Sequence, residues 1–201
     1  MSISVPTRKL TVADIDDIRA YERIRETFRT EMIALRDRRR VSVGTMVSLV
    51  FENRQTIRFQ IQEMARVEGI TTDQGIQQEL DAYNPLIPEQ GQLCATLFIE
   101  LTSDEAIREW LPKLVGIENA VALRLPNGDE VRCAVDARHA AQLTRADVTS
   151  AVHYITFELT PAQRDAFRDG VVVAIDHPEY TEETELLPPT LRELATDLRG
   201  V

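Results

Sequence analysis

The chain has 201 residues, 43% of them hydrophobic, and a net charge of −10. This length and composition suit one folded domain rather than a disordered chain. The negative charge argues against nucleic acid as the principal partner, because phosphate binding needs a concentrated positive field. The longest aliphatic run, residues 171–175, is too short to cross a bilayer, and residues 1–9 lack the apolar core of a signal peptide. We therefore expect a cytoplasmic protein without membrane association.

The two cysteines, Cys94 and Cys133, are far apart and in no metal-binding spacing. A disulfide framework or a thiolate zinc site needs more sulfurs, or closer ones. We therefore predict two buried free thiols.

The first third of the chain is predicted to be mostly helical. Apolar residues recur at steps of three and four over residues 12–38, and Thr11 with Asp14 forms a capping-box pair before them. This pattern predicts one long amphipathic helix. Such a helix can extend beyond the core of its own subunit, which favours a homo-oligomer. Burial of a short apolar stripe within one chain is the other interpretation.

Four arginines stand at the end of this helix: Arg36, Arg38, Arg39 and Arg40. Cations complement the negative C-terminal end of a helix dipole, which explains them without a ligand. The alternative is a binding site for an anion or an acidic partner surface.

The next elements are predicted from shorter patterns. A strand is expected at residues 46–51, after a turn at Gly44, and a second helix at 57–67, with Thr56 as its cap and Gly69 at its end. A third helix is expected from about residue 72 to residue 83. Pro85 and Pro88 then enforce extended backbone.

The rest of the chain is predicted to be rich in strands. Alternation of apolar residues predicts strands at 93–101 and 151–159, and Asn127-Gly128 predicts a hairpin between 120–125 and 130–135. Residues 171–175 are predicted to be a buried strand. Helices are expected at 104–115 and 161–167. Residues 179–189 are predicted to be a linker or covering loop before a last helix.

Helices and strands do not alternate regularly, so an α+β fold with a mainly antiparallel sheet is predicted. It would form one domain over residues 1–201. The helical part covers about 11–83, the sheet-rich part about 92–177, and the C-terminal helix about 190–199.

Candidate chemistry depends on a few scattered polar residues. His153 lies on the apolar face of its predicted strand and His177 ends a buried one, while Glu63 and Glu100 lie at the margins of apolar surfaces. Glutamates and histidines from separate elements can hold iron, manganese or zinc. Separate hydrogen bonds or arginine partners would satisfy the same four side chains. The third histidine, His139, is expected to be exposed.

Several multi-residue signatures resemble DUF3501, a family of uncharacterised bacterial proteins. They are Phe51-Glu52-Asn53-Arg54, residues 79–88, residues 95–100 and Ser150-Ala151-Val152-His153. The resemblance covers most of the chain. It implies a setting in redox or peroxide metabolism, because genes of similar proteins often lie beside genes for rubrerythrin-like and iron–sulfur oxidoreductase proteins. Such a redox protein is the partner that the resemblance implies.

Two functions are consistent with these patterns. The preferred one is an accessory or binding protein that serves a redox system, because common catalytic motifs such as HExxH, GxGxxG and GxSxG do not occur. The alternative is a metal-dependent enzyme, redox or hydrolytic, that uses Glu63, Glu100, His153 and His177. Binding of nucleic acid through the arginine run is disfavoured by the net charge.

Overall fold

Two antiparallel sheets and six α-helices form the fold in the computed structural model, which describes residues 8–135 and 147–200. The helices are α1 (Ile18–Arg38), α2 (Arg54–Glu68), α3 (Asp73–Tyr83), α4 (Asp104–Lys113), α5 (Pro161–Asp165) and α6 (Pro188–Arg199). The strands are β1 (Arg40–Val43), β2 (Val47–Glu52), β3 (Gln92–Ile99), β4 (Val121–Arg124), β5 (Glu130–Arg132), β6 (Ala134–Val135), β7 (Val152–Glu158), β8 (Val172–His177) and β9 (Tyr180–Glu185). The prediction of an antiparallel α+β fold with a long N-terminal helix is confirmed.

The strands form two sheets rather than one. Sheet A has the order β1-β2-β3-β7-β6 and sheet B has the order β5-β4-β8-β9. A shared hydrophobic core contains inward residues of both sheets, such as Leu49 and Leu97 of sheet A and Leu123 and Val173 of sheet B. Leu194 of α6 packs into the same core. A smaller core joins α2, α3 and the segment around Ile87, and Tyr154 of β7 packs against it.

The long helix begins later than its apolar periodicity predicts. Residues 12–14 form a separate 3-10 turn, and Asp17 starts α1 by accepting a 2.9 Å hydrogen bond from the Ala20 N–H. A capping carboxylate here satisfies a helix N–H that would otherwise lack a partner. The predicted helix over residues 12–38 is therefore wrong in its first six residues.

The second helix also has a different cap from the one predicted. Asn53 Oδ1 accepts hydrogen bonds from the Gln55 and Thr56 N–H groups, each at 3.0 Å. Thr56 lies inside the helix, and its Oγ1 accepts a hydrogen bond from the Asn53 N–H. Helix α2 therefore starts at Arg54. It ends at Gly69, as predicted, and Gly69 has the left-handed conformation.

Two strands were not predicted. No element was predicted for residues 40–43, between the long helix and the turn at Gly44, but they pair with β2 as β1. Residues 180–185 were assigned to a linker or loop, but they pair with β8 as β9. Only Tyr180 of β9 is buried, and this strand lies at the edge of sheet B. Its acidic residues therefore remain exposed.

Tyr180 of β9 connects the two sheets. Its hydroxyl donates a 2.7 Å hydrogen bond to the Val43 carbonyl oxygen and accepts a 3.1 Å bond from the Met46 N–H. Gly44 lies between these two residues with a φ of 69°, and a Cβ at this position would collide with the Tyr180 hydroxyl. The turn predicted at Gly44 thus also serves as the junction of the sheets.

Within the part of the chain that the structure describes, no helix is long and apolar enough to cross a membrane.

Candidate functional site

The four predicted metal ligands lie in separate environments. Glu63 on α2 contacts α1, where Tyr21 Oη donates to Glu63 Oε1 at 2.6 Å. Arg25 adds two bonds, from Nε to Oε1 at 2.8 Å and from Nη2 to Oε2 at 2.9 Å. These arginine bonds are the largest cause that lowers the pKa of Glu63 to about 2. Glu63 is therefore an ionised carboxylate that joins α2 to α1 through hydrogen bonds.

Glu100 follows the end of β3 and faces solvent. Its Oε1 accepts hydrogen bonds from Ser48 Oγ at 2.5 Å and from Arg40 Nη1 at 2.6 Å. The Glu100 side chain is 52% exposed. This acid is a surface partner of β1 and β2.

The two histidines bond to nearby main-chain or hydroxyl groups. Nε2 of the buried His153 lies 2.9 Å from both Thr149 Oγ1 and the Ser150 carbonyl oxygen. Burial lowers the pKa of this imidazole. His177 accepts from the Glu179 N–H at Nδ1, so its Nε2–H donates to the Val115 carbonyl oxygen at 3.1 Å. Hydrogen bonds therefore engage Nε2 of His153 and both nitrogens of His177, and such bonds were the alternative to a metal site.

The structure does not bring these four residues together. Across residues 8–135 and 147–200 there is no group of three or more His, Cys, Asp or Glu side chains that could hold a metal ion. His139 lies outside the described residues. A metal site of Glu63, Glu100, His153 and His177 stays a prediction that this geometry does not favour.

The four arginines of the 36–40 segment also separate. Arg40 belongs to β1, where it pairs with Glu100 and lies over the Phe98 ring at 5.6 Å. Arg36 is half-buried in the last turn of α1. Of the four, only Arg38 and Arg39 lie close to a common feature, which is a groove beside α6.

This groove has a volume of about 1180 Å³ and is open to solvent. Its walls come from the end of α1, the start of α2, the 87–90 loop and the whole length of α6. The lining residues are Arg8, Leu35, Arg38, Asn53, Arg54, Gln55, Ile87, Pro88, Glu89, Gln90, Pro189, Arg192, Glu193, Thr196, Asp197 and Gly200. Four arginines, three carboxylates and three amides therefore line this groove.

Arg39 lies beneath the groove with a side chain that is 0% exposed. Its Nε donates to the Phe51 carbonyl oxygen at 2.7 Å, and its Nη2 donates to the Glu52 carbonyl oxygen at 3.2 Å and to Asp197 Oδ2. Burial raises the pKa of Asp197, and the charge of Arg39 opposes this effect. Arg39 therefore ties α6 to the end of β2 and supports the floor of the groove.

One atom of this buried guanidinium is not satisfied. Arg39 Nη1 has no hydrogen bond, and its ion-pair partner in the described residues is Glu193 Oε2 at 3.5 Å. The other oxygen of Glu193 accepts from Arg38 Nε at 2.9 Å. Glu193 thus bridges two arginines at the surface of the groove.

Two of the four lining arginines have no carboxylate partner in the described ranges. Arg8 donates to main-chain oxygens, those of Pro88 at 3.0 Å and of Asp197 at 3.2 Å. Among residues 8–135 and 147–200, the Arg192 guanidinium has no hydrogen-bond or ion-pair partner. In contrast, Arg54 pairs with Asp14. Arg8 and Arg192 therefore bring positive charge to the groove without an ion pair in the described residues, and the charge of Arg8 also acts on the nearby Asp197 carboxylate.

Sequence reasoning found Arg38 and Arg39 but missed Arg8, Arg54 and Arg192. These three lie up to 184 positions apart in the chain, and no local spacing connects them. Only the packing of α6 against α1 and the 87–90 loop brings them to one place. The start of α2 adds little anion binding of its own, because Asn53 already occupies two of its first N–H groups.

Comparison with known proteins identifies the family. The profile described as "Protein of unknown function (DUF3501)" matches residues 9–198. The comparison with curated proteins gives no match. A crystal structure at 1.90 Å resolution, of a novel protein of unknown function from Burkholderia pseudomallei K96243, is similar, with 38% identity and a TM-score of 0.86. The likeness covers 94% of this chain and 99% of that one. The chain belongs to the DUF3501 family.

Proposed function

We propose that the protein is a binding protein whose groove holds an anionic ligand. The observation that carries this proposal is the convergence of Arg8, Arg38, Arg54 and Arg192 on one groove, with Arg8 and Arg192 free of carboxylate partners in the described residues. The protein as a whole has a net charge of −10, so its overall composition does not explain this local cluster of arginines.

Arginine suits this role for geometric reasons. A guanidinium is planar and always charged, and it can donate two parallel hydrogen bonds to a carboxylate or a phosphate. The amides of Asn53, Gln55 and Gln90 add neutral donors and acceptors around these charges. The groove is more polar than most ligand sites, and Leu35 and Ile87 supply part of its apolar surface.

The cellular setting is a separate proposal, which rests on the family resemblance alone. According to this second proposal, the protein is an accessory of a redox or peroxide-related system. Its partner would be a rubrerythrin-like or iron–sulfur oxidoreductase protein. The cysteines do not supply an activated thiolate for such a system, because burial raises the pKa of both Cys94 and Cys133. Any redox chemistry is therefore assigned to the partner.

We also propose self-association through α1. Ile24 and Ile33 of this helix are 45% and 44% exposed, although both are large and apolar. Their separation of nine residues places them on opposite sides of the helix. A dimer would therefore cover one of them rather than both.

A thermal-shift experiment tests the anion proposal. Citrate, phosphate and sulfate are compared with sodium chloride at matched ionic strength, which removes general screening as a cause. A ligand at a hundred times its Kd stabilises the folded state enough to raise the Tm by about 5 °C for a chain of this size. At least one of these anions should reach this value.

Two arginine variants make the experiment specific. Arg192→Ala should reduce the shift, because it removes a lining guanidinium. Arg108→Ala is the matched control, since Arg108 is also exposed and does not line the groove. Equal shifts in both variants, or no shift with any anion, would count against the groove as the binding site.

A further inference from the structure

We infer that Glu193 occupies the place of a ligand carboxylate, and that the ligand of the groove is a carboxylate-bearing molecule that displaces it. This inference rests on the proposed function and narrows it to one ligand chemistry. Glu193 then competes with the ligand for Arg38 and Arg39 at the surface of the groove.

The first reason is the way in which Glu193 uses its two oxygens. Oε1 accepts from Arg38 Nε at 2.9 Å, and Oε2 lies 3.5 Å from Arg39 Nη1. One planar carboxylate therefore spans two adjacent guanidinium groups. A position that already fits one carboxylate is shaped for another, whereas a tetrahedral phosphate presents its oxygens differently.

The second reason is that the fit of Glu193 is incomplete. Arg39 Nη1 is buried and has no hydrogen bond to any residue that the structure describes, although the other nitrogens of this guanidinium donate. A buried donor without a partner is costly and is rare in native structures. A carboxylate that is not tethered to α6 can approach Nη1 more closely than Glu193 does.

The third reason is that the Glu193 side chain is exposed enough to move. The Glu193 side chain is 28% exposed, whereas that of Asp197, one turn later on α6, is 14% exposed and holds Arg39 Nη2. Asp197 can therefore keep Arg39 in place while Glu193 turns toward solvent. Arg192, the residue before Glu193, lines the same groove and can receive a second carboxylate of the ligand.

Two sources share this chemistry, a small polycarboxylic acid and an acidic protein segment. Citrate represents the first in the experiment, and a hexaglutamate peptide with a blocked C-terminus represents the second. Isothermal titration calorimetry of each probe against the full chain, at low and equal ionic strength, gives the affinities. The source that binds more tightly identifies the ligand type.

The decisive comparison uses two variants that change the charge equally. Glu193→Ala removes the competitor, and Glu89→Ala removes another lining carboxylate, which pairs with Lys9 instead. If Glu193 occupies the position about nine-tenths of the time, its removal raises the affinity about tenfold, whereas Glu89→Ala has a much smaller effect. The Tm of each free variant shows that it is folded.

Each outcome decides between the claims. A large gain in Glu193→Ala alone supports displacement. Equal gains in both variants, or no gain in Glu193→Ala, overturn displacement but leave anion binding intact. If no probe binds to the native chain or to either variant, the proposed function fails together with the inference.

Discussion

Tyr21 Oη donates a 2.6 Å hydrogen bond to Glu63 Oε1 and so connects α1 to α2. Tyr21 is fully buried, and Glu63 is also held by Arg25. Hydrogen bonds to a charged group contribute about 1.5–3 kcal/mol to stability. We therefore expect Tyr21→Phe to lower the free energy of unfolding by about this amount in urea titrations.

Tyr83→Phe is the control for this variant. The Tyr83 hydroxyl has no hydrogen bond in the described part of the chain, so its removal should change stability by less than about 0.5 kcal/mol. Equal losses in the two tyrosine variants would show that the Tyr21–Glu63 bond has no special role.

The same carboxylate predicts a pH dependence. The folded-state pKa of Glu63 is about 2, below its ordinary value of 4.5, with the Arg25 hydrogen bonds as the largest cause. A lowered pKa contributes stability that is present above the unfolded value and is lost as the pH falls through the folded value. Glu63→Gln should therefore be less stable than the native chain at pH 7, and the difference should shrink between about pH 5 and pH 2. A difference that is constant with pH would contradict this assignment.

Arg39 should be one of the most sensitive positions in the chain. Arg39→Met leaves Asp197 without its cation and removes the donors to two main-chain oxygens. Breaking a buried ion pair costs about 3–5 kcal/mol. The double variant Arg39→Met with Asp197→Leu should recover part of this loss, because no buried charge then remains unpaired. If the single variant loses less than about 1 kcal/mol, the pair is not a support of the groove.

The thiols should react slowly with a disulfide reagent in native buffer. Burial raises the pKa of Cys94, and it raises that of Cys133 to about 11, so little thiolate is present at neutral pH. Cys94 is buried and Cys133 only half-buried, so Cys94 should react more slowly. Both should react rapidly after unfolding. Fast native labelling of either thiol would restore a redox role for this chain.

Metal content separates the two sequence-based hypotheses of function. Because Glu63, Glu100, His153 and His177 each bond elsewhere, we expect elemental analysis of natively purified protein to show no stoichiometric iron, manganese or zinc bound by them. Stoichiometric metal that His153→Ala removes would contradict this expectation and favour the enzyme.

Self-association is tested by light scattering at micromolar concentration. If α1 forms a two-fold interface through Ile24, the native chain has twice the monomer mass and Ile24→Glu has the monomer mass. Ile33→Glu is the matched control on the opposite side of the helix. A monodisperse native monomer would rule out the interface at this concentration.

Local chemistry explains which parts of the fold were predictable. The hairpin at Asn127-Gly128 and the end of α2 at Gly69 were found because each depends on a few adjacent residues. The start of α1 was missed because apolar residues of a 3-10 turn continue the helical spacing, while the Asp17 cap overrides it. The edge strand β9 was missed because its exposed acidic residues resemble those of a loop.

The candidate site was less predictable, for a physical reason. The sequence contains a cue for Arg38 and Arg39, which stand in an arginine run, but the buried position of Arg39 depends on Asp197, 158 residues later. His153 was correctly placed on a buried face, but its hydrogen-bond partners depend on the path of the chain at residues 149–150. Side-chain partners of this kind follow from tertiary packing rather than from local pattern.

The arginine side-chain Nε–Hε signals in an ¹⁵N-correlated spectrum, recorded during a citrate titration, test the central claim most directly. Binding in the groove predicts that the signals of Arg38 and Arg192 shift together and saturate, while that of Arg108 on α4 does not move. Variants of each arginine assign the signals. Shifts of Arg108 equal to those of Arg38 and Arg192, or no shift at saturating citrate, would contradict an anion-binding groove beside α6.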